Sequence, residues 1–195
     1  MEFYLNGQKT EITLENEKNV KEFLEAFELE CEKNEATIIG VEIDGKQIPA
    51  DELDSFFPLE LTALNTINLT TVAASDIIAG LQDVRKNALN LIGAMQEIPL
   101  LLQKNQDTEA NKIIANFADF FDFFCHIITL SQLFPEKFNQ VISTETISTL
   151  LNELLPIIEE FKNALEQKDT ILIGDLSEYE IVPHLEKIST LLENV

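Results

Sequence analysis

Residues 113–134 read IIANFADFFDFFCHIITLSQLF, and with Phe138 just beyond they hold seven of the chain's thirteen phenylalanines. The polar residues here are not scattered. Lys112, Asn116, Asp119, Asp122, His126, Thr129 and Gln132 follow one another at intervals of three or four, which on a helix gathers them into one narrow wet stripe. A helix that is apolar around about two thirds of its circumference has to be enclosed by neighbours. The stretch therefore predicts a helical domain whose other helices are walls around a Phe-rich centre.

The flanking sequence supplies such walls. Ile77, Leu81, Val84, Ala88, Leu91, Met95, Ile98 and Leu102 step by fours and threes behind Ser75-Asp76, the expected cap. Pro135 ends the Phe-rich helix and opens a short linking helix expected over residues 135–142. Ser143 or Thr144 is placed to cap a further helix with the inner face Ile147, Leu150, Leu154, Ile158, Phe161 and Leu165, ending near Lys168. The final helix starts at Asp169 or Thr170 and carries Leu172, Leu176, Tyr179, Val182, Leu185, Ile188, Leu192 and Val195. Four long helices with short connections predict an antiparallel four-helix bundle over residues 73–195. Pro99, Pro156 and Pro183 lie inside three of these helices, where each removes a backbone donor and bends the axis. The bends either let long helices wrap the aromatic centre or open a groove for a partner's helix.

Residues 1–72 have a different period. Short alternating segments at residues 2–5 and 8–14 flank Asn6-Gly7, a strong type I′ hairpin signal. Asn16 is the expected cap of a helix over residues 17–33 with Val20, Phe23, Leu24, Phe27 and Cys31 on one face. A strand at residues 37–43 turns at Asp44-Gly45 into residues 46–48, and Pro49 ends that hairpin. Residues 51–56 suggest a helical turn capped by Asp51 or Asp54, and residues 59–72 return to strand chemistry. This order of hairpin, helix, hairpin and final strand, ββαββ in outline, resembles the β-grasp or ubiquitin-like fold. That resemblance implies one helix packed across a mixed sheet, with a ferredoxin-like sheet as the alternative for the same order. The fold class expected for the whole chain is α+β.

A formal charge of −22, from 35 acidic and 13 basic residues, opposes binding to nucleic acid or an anionic membrane surface through phosphates. A basic or amphipathic protein segment is the natural partner, although many bacterial proteins are acidic simply for solubility. The chain opens with a polar run at residues 6–10 in place of a secretory signal, and its uninterrupted apolar runs fall short of a membrane span. Cys31 and Cys125 sit singly inside apolar helical patterns, which fits a reducing cytoplasm and no disulfide framework.

Chemistry-bearing constellations are few. Each histidine follows a carboxylate by four residues, Asp122 before His126 and Glu180 before His184, which could supply a metal-binding or enzymatic bundle. An acid near a histidine is commonplace in so acidic a chain, and the di-iron signature of Glu-x-x-His on two helices is missing. Cys125 and His126 point about 100° apart on a helix and cannot share a proton. No phosphate-cradling glycine loop or nucleophile motif occurs, so no cofactor is expected. Residues 168–183, KDTILIGDLSEYEIVP, resemble a K-D-x-x-L-x-x-D-L-x-E-Y-E-x-x-P pattern of uncharacterised bacterial helical-bundle proteins, some linked to motility genes. The resemblance implies no activity, but it marks Asp175, Glu178, Tyr179, Glu180 and Pro183 as one unit, a candidate partner-binding motif. On packing grounds Tyr179 is expected to bury its ring at the bundle edge and keep its hydroxyl bonded. The function expected is a non-catalytic protein-interaction module, an adaptor or chaperone-like protein. The alternatives are the metal or enzymatic bundle and a self-associating structural protein forming homodimers.

Overall fold

Asn6 and Gly7 take φ of 51° and 76°, so the chain reverses tightly after β1 (Glu2–Leu5) into β2 (Gln8–Thr10). The computed structural model describes residues 1–139 and 142–195, in two compact units, Met1–Asp76 and Ile77–Val195. In the first unit, α1 (Val20–Lys33) is followed by β3 (Ala36–Ile43), β4 (Lys46–Ile48) and β5 (Thr66–Ala73). The strands form one mixed sheet in the order β2-β1-β5-β3-β4. β1 and β5 run parallel at its centre, and the other pairs are antiparallel. The long connection that parallel pairing demands is supplied by α1 and the second hairpin. Phe23 and Leu24 of α1 are buried with Phe3, Val41, Ile43, Ile67 and Leu69, and Phe23 stacks on Phe3 with ring centroids 5.0 Å apart. The unit is β-grasp-like, one helix lying across a five-stranded mixed sheet.

Several boundaries differ from expectation. α1 is capped by Asn19, whose Oδ1 accepts from Glu22 N at 3.0 Å, and not by Asn16. The Glu17 carboxylate instead accepts from Glu15 N and Asn16 N, holding the preceding residues in a local turn. β2 stops at Thr10, well short of Leu14. Residues 51–56 hold only a 3-10 turn, Leu53–Ser55, with no side-chain cap from Asp51 or Asp54. β5 starts at Thr66, because the chain before it turns through Leu61–Ala63 and bonds to the start of α1: Leu61 N donates to Lys18 O, and Val20 N to Leu59 O.

The second unit is a helical region of four long segments. α2 (Ala74–Gln103) starts directly after β5, and the Asp76 carboxylate accepts from Ala73 N, half of a capping box, where Ser75-Asp76 was expected to be the cap itself. Asn105, at φ 55°, turns the chain into α3 (Asp107–Ser131). α4 (Pro135–Phe138) begins on Pro135 and is shorter than the linking helix expected; Gln140 and Val141 of that stretch lie outside the described residues. Ser143 caps α5 (Thr144–Gln167), which ends at Lys168 in the left-handed conformation. Asp169 then caps α6 (Thr170–Asp175), and a π-helical turn, Leu176–Ile181, joins it to α7 (Val182–Leu191).

The Phe-rich α3 is a wall and not an enclosed centre. Ala110, Phe117, Phe120, Phe124, Ile127, Ile128 and Ser131 form its buried stripe, and Phe117 meets Phe161 of α5 edge-on, centroids 6.4 Å apart. Only 28% of its most apolar window is buried, since Ala115, Ala118 and Phe123 join the wet stripe on the open side. By length and composition α3 is apolar enough to cross a membrane, which the shorter uninterrupted runs had not suggested. Two glycines set helix distances: a Cβ on Gly80 would lie 2.6 Å from Ile127 Cδ1, and one on Gly174 would lie 3.2 Å from Pro99 Cβ. α2 thereby approaches both α3 and α6 closely.

Candidate functional site

In the first unit the helix and the edge of the sheet diverge. α1 presents Phe23, Ala26, Phe27 and Glu30 on one side, while beyond β2 the chain continues unpaired through Glu11, Ile12, Thr13 and Leu14. Between them lies an open groove of about 750 Å³, floored by Leu5, Ile12, Phe23 and Phe27 and rimmed by Glu11, Glu15, Glu17 and Glu30. The one lysine among the lining residues, Lys33, pairs with Glu30 at 2.7 Å and also feels the charge of Glu15, so four carboxylates face a single cation. Backbone hydrogen bonds to the Glu17 carboxylate hold it below the usual range, so it stays ionised at neutral pH. Cys31 borders the groove, but burial, helped by the charges of Glu28 and Glu30, pushes its thiol up and keeps it protonated. An apolar floor with an acidic rim suits a segment that is apolar on one side and cationic on the other.

The C-terminal pattern residues lie on and around the π-helical turn. Asp175 ends α6, Glu178, Tyr179 and Glu180 lie within the turn, and Pro183 follows it in α7. Pro183 has no N–H for the Tyr179 carbonyl, and the widened turn just before it is where the helical ladder absorbs that loss. Val182 N donates five residues back to Ser177 O, and the fully buried Ser177 hydroxyl donates to Ile173 O at 2.6 Å. Asp175 and Glu180 are exposed, and Glu178 and Pro183 are half-buried. Tyr179 is not packed at the edge as expected: it is 64% exposed, and its hydroxyl has no partner among the described residues. In a π turn more residues separate successive positions on one face, so the spacing that aimed Tyr179 inward on an α-helix now aims it outward.

His184 finds a different carboxylate from the one its sequence spacing suggested. Its Nδ1 lies 2.7 Å from the backbone carbonyl of Glu180, so Nδ1 carries a proton, while Nε2 lies 3.5 Å from Glu153 Oε2 of α5. Glu153 accepts from Lys187 Nζ at 2.7 Å, and this lysine first, with His184 after it, lowers the Glu153 carboxyl. Glu153 and Lys187 were not singled out by sequence reasoning, because a contact between helices leaves no local spacing signal. Asp122 and His126 are both exposed on α3. Among the described residues, no group of three or more His, Cys, Asp or Glu is placed to hold a metal ion.

Two family models match the chain. One, described as the TP0873 N-terminal domain, covers residues 1–73, and the other, described as a domain of unknown function (DUF8042), covers residues 79–191. An uncharacterized protein of Treponema pallidum (strain Nichols) is 28% identical over 189 residues, spanning 97% of this chain and 94% of its own length. No solved structure matches.

Proposed function

The chain belongs to the DUF8042 family, and we propose that it acts as a non-catalytic protein-interaction module, an adaptor or chaperone-like protein that captures a basic, amphipathic segment of a partner. The observation that carries this reading is the groove of the first unit, where half-buried apolar side chains and an excess of glutamates meet. Of the 35 acidic residues, 17 lie in the first 76, against 5 basic ones, so the long-range field also draws a cationic segment toward this unit. The cytoplasm is the compartment that suits two free thiols.

A second contact is favoured by one observation, the exposed Tyr179 on the π-helical turn, since tyrosine is enriched among the anchors of protein interfaces. Both contacts are tested together. The intact chain, a Glu11→Lys/Glu15→Lys variant and a Tyr179→Ala variant are used to capture proteins from lysate of the organism that makes it. The groove reading expects a protein that is retained by the intact chain, released by about 0.5 M salt, and reduced at least about tenfold on the double-lysine variant. Equal capture by the double-lysine variant, or no capture by the intact chain, overturns the reading. Loss confined to Tyr179→Ala moves the contact to the π-helical turn.

A further inference from the structure

We propose that the groove takes its partner as an added strand: an extended segment with alternating apolar and cationic residues pairs with the free backbone of residues 11–14. This step rests on the interaction-module reading above. Three observations lead to it.

The backbone N–H and C=O groups of residues 11–14 make no hydrogen bond to the rest of the described chain, although β2, directly before them, is paired through Thr10 with Phe3. They form one wall of the groove, so an incoming strand finds unpaired main chain there, whereas an incoming helix, with its own groups already satisfied, leaves them bare. At the opposite edge a side chain intervenes. Beyond the short β4, the Glu28 carboxylate reaches from α1 to accept from Ile38 N at 3.0 Å and Thr37 Oγ1 at 2.6 Å. The unit thus fills a backbone donor of β3 with a side chain and leaves the main chain of residues 11–14 unfilled beside an apolar floor.

The chemistry of the occupant follows from the two faces it would meet. Side chains turned inward rest on Phe27, Ala26 and Ile12, and those turned outward pass Glu11 and Glu15, so apolar and cationic residues alternate. At about 3.3 Å per residue, residues 11–14 offer about 13 Å of edge, enough for a segment of four or five residues.

The test uses the full chain and measures amide hydrogen exchange by NMR with a synthetic peptide of about eight residues alternating valine and lysine. Two N-methylated versions block alternate backbone amides in each of the two frames, and a valine–glutamate peptide reverses the charge. The expected result is that exchange at residues 11–14 slows by about tenfold or more with the lysine peptide, and not with the glutamate peptide. One N-methyl frame should abolish the effect and the other preserve it, because only alternate amides face the pairing edge. An Ala26→Arg variant, which fills the groove from an exposed helical position, should lose the effect with its fold intact. Binding that is indifferent to both N-methyl frames overturns strand addition while leaving the interaction module standing, as does lysate capture by the intact chain with no slowing at residues 11–14. Slowing that rises with protein concentration in the absence of peptide identifies a second copy as the occupant and also overturns the proposal.

Discussion

Asp44 combines two roles that sequence reveals unequally. At φ 49°, before Gly45 at φ 80°, it forms the tight turn that its dipeptide announces. Its Oδ1 also accepts from Asn65 N and Thr66 N, each at 2.8 Å, fastening the turn to the start of β5. These two backbone donors, Thr66 first, hold the Asp44 carboxyl below the usual carboxylate range. The folded state therefore binds this proton less readily than the unfolded chain. The resulting stabilisation is complete above the ordinary carboxylate range and is lost as the pH falls through the lowered folded value. Asp44→Asn should preserve the turn and an acceptor while flattening part of the acid limb of a pH–melting curve; Asp44→Ala should lower the melting temperature at neutral pH as well. Unchanged acid behaviour in Asp44→Asn would contradict the assignment. The reach to residue 65 was illegible in sequence, as was the reach of Glu153 to His184 and Lys187, because a side-chain bond between distant elements leaves no periodic trace.

Helices and strands were more legible than their ends. The apolar stripe of α2 from Ile77 to Ile98 is buried as its spacing implies, and both type I′ hairpins fall where Asn-Gly and Asp-Gly mark them. Two elements depart from their sequence pattern for physical reasons. The wet stripe of α3 lies where its spacing places it, but hydrophobicity is not burial, and alanines such as Ala115 and Ala118 lose little by facing water. The last helix reads in sequence as one α period, whereas Pro183 is preceded by a π turn that rotates Tyr179 outward. The helix glycines give a sharper test of packing. Gly93 has nothing near its missing Cβ, so Gly93→Ala should raise the unfolding free energy by about 0.5–1 kcal/mol through helix propensity. Gly174→Ala should instead lower it by about 1 kcal/mol, because the new methyl presses on the Pro99 ring and backbone. Urea denaturation of both variants checks the pair, and equal stabilisation by the two would mean that α6 and α2 are not in close contact.

At the scale of the whole molecule, the α+β organisation was readable because the hydrophobic period changes from two to about 3.6 near residue 73. The groove was not readable. It depends on β2 stopping at Thr10 and α1 starting at Val20, boundaries that pattern alone set elsewhere. The charge of −22 can be counted in the sequence but not located, and part of it lies in carboxylates that rim an apolar floor. The proposed role of this groove is to hold a partner protein. It is tested most directly by placing a photo-crosslinking residue at Ala26, inside the groove, and separately at Ala115, on the open side of α3, in the intact chain. Irradiation in lysate should join a discrete partner to the Ala26 position, in a salt-sensitive manner, and none to Ala115. No adduct at Ala26, or the same adducts at both positions, would contradict the account.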